Sequence, residues 1–445
     1  MAKAVGEIMR IQMRNLSNSI PVALIALAAV GLMAAAVVAA PPRSEPVMDS
    51  SLIQALINMA QPGQEIVPPP GRYRRIKVTK PIILDGKGKV TFDGEGEGSV
   101  LWIETDGATI RNLHLVNSGS SHPDQDAGIQ VRGSGNVIED NVIEDVLFGL
   151  ALERSDRNIV RRNHYQGRPI NIQRRGDGVK LWYSNDNVIT DNVFEGGRDI
   201  VFWYANGNIF KGNRQSHGRY GLHLMKAADN VAEDNLFIDN MTGISMMYDS
   251  GDIIRNNYVA KANGAVGTCL SLKESSDVVI ENNDLMYCAS GIAIDVAPYE
   301  PGSKNPIKGN RIAFNDIGVS FLNDWKDSIF TGNLFTGNIT EVAIYGGGSA
   351  KRNVWDGNRW EDYQGFDRNG DGIGDKPHRL YGYAGRVWMD VPNTKFFKGT
   401  PLLEVLDFLD RLAPFSEPVL LLEDKHPHLG SDKAFKAGSN LEPKS

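Results

Sequence analysis

Between residues 136 and 358 apolar and polar positions alternate in short runs broken by glycine, asparagine or aspartate. Alternation with period two predicts strands, because successive side chains on a strand point to opposite faces. The runs lie too close together for helical crossovers. They also recur on one unit. N-x-x-x-x-N or a near variant stands at 136–141, 158–163, 187–192, 208–213, 230–235, 252–257, 277–282, 305–310, 328–333 and 353–358, its last asparagine advancing by 21 to 29 residues. About nine residues ahead there is usually a glycine followed by an alternating apolar pair, as at Gly149-Leu150, Gly178-Val179, Gly221-Leu222, Gly243-Ile244 and Gly318-Val319. Coils of this length stack as a parallel β-helix, with equivalent side chains above one another. The spacing therefore predicts an all-β, right-handed solenoid over 80–360, right-handed because parallel connections are. The asparagines form an internal amide ladder.

An open solenoid exposes its core and unpaired edges, so both ends need closing. Residues 41–79 are predicted to cap the start, through the helix-like SSLIQALINMA with Ser50 or Ser51 as N-cap. Residues 361–445 form a C-terminal extension.

Set in register on the glycine, five successive coils read GLALE, GVKLW, DIVFW, GLHLM and GISMM, starting at 149, 178, 199, 221 and 243. Their second and fourth positions are apolar throughout and are predicted to fill the bore. The fifth position then stacks Glu153, Trp182, Trp203, Met225 and Met247 on the outer face, and the third stacks Ala151, Lys180, Val201, His223 and Ser245. A stripe of tryptophan and methionine is unusual on a solvated sheet, where apolar patches mark interaction surfaces. Trp182, Trp203, Met225 and Met247 are thus candidate partner-binding residues. Thioether and imidazole also make the soft ligand set that favours Cu(I). His223, Met225 and Met247, about one strand spacing of 5 Å apart, are candidate copper ligands. The competing readings are a patch covered by a loop, or tryptophans that stack sugar rings.

The 445 residues are 41% hydrophobic, enough for a large core, and the formal charge of −7 argues against nucleic acid as a partner. Arg161, Arg162, Arg168, Arg174 and Arg175 form a local basic cluster, expected to be a solvated edge and loop. Residues 1–40 join a basic start to an uncharged run, IPVALIALAAVGLMAAAVVAA, which predicts an export signal cleaved near Ala36 to Ala40, with a retained anchor as the alternative. Only Cys269 and Cys288 follow, open to bridging, metal binding or inert burial. Met286 and Cys288 form a second soft pair, expected in the core.

In the extension, DRNGDGIGD places Asp367, Asn369, Asp371, the Ile373 carbonyl and Asp375 at the first ligand positions of a calcium loop, but His378 stands where the bidentate glutamate belongs. Ca²⁺ and a metal-free Asx turn both fit. TPLLEVLDFLDRL, 400–412, predicts an amphipathic helix. PFSEPVLLLEDKHPHLG then holds an apolar stretch, too short to cross a bilayer, that would dock on its own solenoid or on a membrane partner.

GDGVKLWYSNDNVITDN (176–192), DIVFWYANGNIFKGNRQSHGRYGLHLMKAADNVAEDN (199–235), GISMMYDS (243–250) and FDRNGDGIGDKPHRLYGYAGRVWMDVP (366–392) resemble the NosD family, periplasmic maturation proteins of nitrous oxide reductase. The resemblance covers nearly the whole chain after residue 40. It implies a non-enzymatic protein outside the cytoplasmic membrane, held there through its partners. It serves an ABC transporter, made of a permease and its ATPase, in assembling the copper-sulfur centre of nitrous oxide reductase, with a copper chaperone as a further partner. In that reading the tail over 414–430 docks on the permease. Where the family's strand commonly reads YGLHYM, this one reads YGLHLMK, which sets the charge of Lys226 beside the sulfur.

The rival from another class is a polysaccharide lyase, epimerase or hydrolase, which needs acids or bases aligned across neighbouring coils. The segment His122 to Asp126 is the best candidate, and no paired carboxylates align with it in the coils that follow.

Overall fold

The computed structural model describes residues 46–264, 267–345, 348–382 and 419–429. It is a right-handed parallel β-helix. One sheet has 12 strands, here β1 (Ile76–Val78), β2 (Leu101–Ile103), β3 (Ala127–Val131), β4 (Phe148–Glu153), β5 (Val179–Trp182), β6 (Asp199–Trp203), β7 (Tyr220–Met225), β8 (Thr242–Met247), β9 (Thr268–Lys273), β10 (Ser290–Asp295), β11 (Ile317–Phe321) and β12 (Thr340–Ile344). The short strands between them form a second sheet that bends at the asparagine corner. Ladder pairing begins at Glu65, ahead of residue 80, where Glu65 and Ile66 pair with Ile83 and Leu84.

The repeat unit is explained by that corner. The closing asparagine points inward between two short strands, and the residue before it takes a left-handed backbone, as at Asp191 (φ 56°), Gly212 (66°) and Asp234 (55°). Aspartate, asparagine and glycine tolerate that region best. Asn141, Asn163, Asn192, Asn213, Asn235 and Asn257 form a continuous ladder, each oxygen accepting from the amide N–H and Nδ2 of the asparagine one coil earlier at 2.9–3.2 Å. It continues through Asn283, not Asn282, to Asn310, Asn333 and Asn358. Asn282 occupies the left-handed corner position (φ 54°).

The bore is filled as expected, by Leu150 and Leu152, Val179 and Leu181, Ile200 and Phe202, Leu222 and Leu224, and Ile244 and Met246. Phe194, Phe210 and Phe237 stack along the axis at 6.1–6.3 Å. Glycine before the apolar pair is required by close approach of the coils: a Cβ on Gly243 would lie 2.4 Å from the Cys269 carbonyl oxygen and 2.2 Å from Val259 Cγ1.

Cys269 and Cys288 are joined in a buried disulfide, Cα atoms 5.7 Å apart. The bridge settles what the sequence left open, and Met286 is core as well. At the start, a helix (α1, Ser51–Met59) buries Ile53 and Ile57 on the first coil. Ser50 stands at the N-cap, as expected, but its side chain makes no cap bond: its hydroxyl donates to the Arg75 carbonyl, and Asp49 accepts from Ser51 N at 3.2 Å.

At the far end the described part of the tail takes the first of its two expected courses. Residues 419–424 form a strand (β14, Val419–Asp424) antiparallel to β13 (His378–Gly382), with Leu421 and Leu422 buried in the core. The described part of the supposed permease-docking tail therefore lies on its own solenoid, because the last coil would otherwise expose Trp355 and Trp360. Asp424 takes the place of the next asparagine rung: its carboxylate accepts from Gly357 N, Asn358 N, Asn358 Nδ2 and Trp360 Nε1 at 2.9–3.1 Å. The export segment and the 400–412 helix lie outside the described residues.

Candidate functional site

Strands β4 to β9 pair in the register read from the sequence. Glu153, Trp182, Trp203, Met225, Met247 and Lys273 follow one another across the strands, as do Ala151, Lys180, Val201, His223, Ser245 and Ser271. One irregularity enters between β6 and β7, where Asp199 faces Tyr220 rather than Gly221. His223 and Met225 thus share a face two residues apart, and Met225 lies directly beside Met247. All four residues of the tryptophan and methionine stripe are half-buried.

His223 carries the clearest signal on this face. Its Nε2 is shut from solvent and has no hydrogen-bond partner among the described residues, and neither has the indole Nε1 of Trp203. A polar atom left that way costs about 1–3 kcal/mol. Burial holds the His223 imidazole below its ordinary pKa, an effect opposed by Asp199 and reinforced by Arg219 and Arg198. The ring is therefore neutral at physiological pH, the form that binds metal.

A charged line steadies that ring, and sequence reasoning missed it. Arg198 reaches Asp177 at 3.0 Å and Asp199 at 3.6 Å, and Arg219 is paired to Asp199. The Arg219 guanidinium lies 4.8 Å over Tyr220, whose ring is 4.7 Å from that of His223. Burial, then repulsion from Asp199, pushes Asp177 up to about 6. Carboxylates do stand on successive coils here, but each is buried and tied to an arginine.

The residue after each stripe position is a further omission. Tyr183, Tyr204, Lys226 and Tyr248 occupy left-handed backbone, φ 48–63°. Trp182 meets Trp203 edge to face at 4.7 Å, Tyr183 stacks on Tyr204 at 4.8 Å, and Lys226 Nζ sits 5.4 Å over Tyr204. The recurring WY and MY dipeptides were the available signal.

The other candidates separate from this face. In the calcium-like loop, Asp367 accepts from the amides of Gly370, Asp371 and Gly372, Asp371 from Ile373 N, and Asp375 from Arg368 N. Asn369 Nδ2 donates to Asp371. These bonds make a set of Asx turns, and no group of three His, Cys, Asp or Glu is arranged for a metal among the described residues. The geometry lends calcium no support. In the basic cluster, Arg161, Arg162 and Arg168 are paired with Glu139, Asp140 and Asp145, and Arg175 donates to carbonyls. His122 contacts the Arg174 carbonyl at 3.2 Å, while Asp126 is buried and accepts from Ser121 N.

By its architecture the chain is a parallel β-helix protein with a soft-ligand and aromatic outer face. A family model described as "Periplasmic copper-binding protein (NosD)" matches residues 161–365, which contain Trp182, Trp203, His223, Met225 and Met247. A "Probable ABC transporter binding protein NosD" of Pseudomonas aeruginosa is 27% identical over 377 residues, 77% of this chain and 83% of that protein. A protein of the same name from Stutzerimonas stutzeri is 28% identical over 127 residues, 28% of each. Over these residues the chain is similar to the NosD family. Among solved structures, the A-module of a mannuronan C-5 epimerase from Azotobacter vinelandii superposes with a TM-score of 0.55 at 15% identity, covering 70% of this chain and 96% of that module. That likeness is one of fold. No helix among the described residues is long and apolar enough to cross a membrane.

Proposed function

We propose that this chain is a non-catalytic periplasmic subunit that serves an ABC transporter and handles Cu(I) bound for the copper-sulfur centre of nitrous oxide reductase. The family's description as periplasmic and copper-binding, and its relatives' names as ABC transporter binding proteins, support the setting. The observation that carries the copper step is His223 Nε2, a neutral donor without a partner on the face that presents Met225 and Met247.

These residues fit a soft ion. Cu(I) favours thioether and imidazole over carboxylate, and methionine's three rotatable bonds let two sulfurs on neighbouring coils converge. Copper is cargo in this reading. Tyr220, held by Arg219 and Asp199, orients the imidazole, and Trp182 and Trp203 flank the sulfurs and grip the protein that delivers or receives the ion. A copper chaperone, the permease with its ATPase, and the reductase are the partners proposed.

The arrangement of the rings favours this reading over a polysaccharide enzyme. Sugars stack on free ring faces, whereas Tyr183 and Tyr204 face each other, and Lys180 and Lys226 lie over Trp182 and Tyr204. Deleting the chain from a strain that makes nitrous oxide reductase tests the proposal. The reductase should be exported without its copper-sulfur centre; a fully loaded enzyme would overturn it.

A further inference from the structure

Several lysines elsewhere on the solenoid pair with acids: Lys77 with Glu104, Lys87 with Glu65 and Asp85, Lys211 with Glu233, Lys308 with Glu281. On the candidate face three do not. Lys180 Nζ lies 5.2 Å over Trp182, Lys226 5.4 Å over Tyr204 and Lys273 5.8 Å over Tyr248, and none has a carboxylate partner among the described residues. Two of the nearby acids are engaged elsewhere. Glu153 is held by Arg132 at 3.0 Å, and Asp295, which faces Lys273 across the strands, accepts from Asn323. A chain of net charge −7 thus carries a local cationic and aromatic rim.

The backbone beneath the rim is costly. Tyr183, Tyr204 and Tyr248 sit in left-handed conformation, at about 1–2 kcal/mol each for a residue with a side chain. That places hydroxyl-bearing ring edges outward, with Tyr183 46% and Tyr248 41% exposed. Ammonium tips and phenol hydroxyls both donate to carboxylates.

We propose that this rim receives an acidic stretch of polypeptide from a partner protein, laid across the coils. The inference rests on the reading that this face meets a partner, and adds the partner's chemistry. Lys180, Lys226 and Lys273 belong to every second coil, about 10 Å apart along the axis at the usual strand spacing. An extended polypeptide covers the same distance in about three residues. Coulombic complementarity of this kind governs encounter and register at interfaces.

The test uses the metal-free protein with fluorescein-labelled poly-L-glutamate as probe, read by anisotropy, and polygalacturonate as a glycan of like charge. Binding of poly-L-glutamate should weaken about tenfold or more in Lys180→Gln/Lys226→Gln/Lys273→Gln and fall with added salt. Lys226→Gln/Lys273→Gln, which leaves the half-buried Lys180 intact, should show part of that loss with unchanged circular dichroism. Lys211→Gln/Lys308→Gln, at lysines paired with Glu233 and Glu281 away from this face, should bind poly-L-glutamate like wild type, and because no copper is present the readout is separate from the copper reading. Absence of binding, or equal binding by wild type and the triple variant, would overturn it. Tighter binding of polygalacturonate, lost in the triple variant, would also overturn it and assign the rim to a glycan.

Discussion

The asparagine corner and the outer face of β4 to β9 are built on the same repeat, yet they treat polar atoms in opposite ways. At the corner each buried asparagine oxygen accepts twice and each Nδ2 donates at least once, so the ladder is complete within the chain. On the face, His223 Nε2 and Trp203 Nε1 are shut away with nothing to bond. Buried polar groups in proteins are nearly always paired, so the first arrangement is scaffold, whereas the second is left without a partner among the described residues.

Four experiments would break or sharpen that contrast. Asn213→Ala removes a rung, stranding Asn192 N and taking one partner each from Asn192 Nδ2 and the Ile189 carbonyl; the expected loss, read by urea unfolding, is about 4 kcal/mol. Asp424→Ala strands the amides of Gly357 and Asn358 and the Trp360 indole at the solenoid end, for about 3 kcal/mol. Asp424→Asn should recover part of that.

The third concerns an acid inside a ladder. Asp252 stands where earlier coils place asparagine: it accepts from Asn230, and its other oxygen is buried without a partner. Burial pushes its pKa up to about 7, well above the ordinary 3.8. An acid with a raised folded pKa destabilises the fold once the unfolded chain has lost its proton. Stability should therefore fall as pH rises from about 4 to about 7, by roughly 2 kcal/mol between pH 5 and 7. Asp252→Asn should remove its share of that dependence and leave that of Asp177; an unchanged pH profile would show that Asp252 does not titrate in this window.

The smallest effect on stability belongs to the face. Met225→Ala/Met247→Ala removes half-buried side chains outside the bore and should cost below about 1 kcal/mol. A loss as large as that of Asn213→Ala would make the stripe part of the scaffold and erase the contrast.

The solenoid, its period and the register of the five strands could be read from the sequence because each coil repeats the same local demands. An inward asparagine needs a left-handed neighbour, and a bore residue needs an apolar side chain. Reading failed where two residues satisfied one demand, as with Asn282 and Asn283. It failed again where the partner is distant in sequence. The ladder ends on Asp424, 66 residues beyond Asn358, and the line from Asp177 to His223 joins residues of three coils. The candidate ligands were legible as residue types, but the condition of His223, neutral and partnerless, is a property of packing.

Whether the His223 face holds Cu(I) is decided by anaerobic titration of the purified chain with Cu(I) against a competing chelator, in wild type, His223→Ala and Met225→Ala/Met247→Ala. Tight binding by wild type that is lost in both variants is the predicted result. Wild-type binding retained in both variants, or absent from wild type, would contradict it.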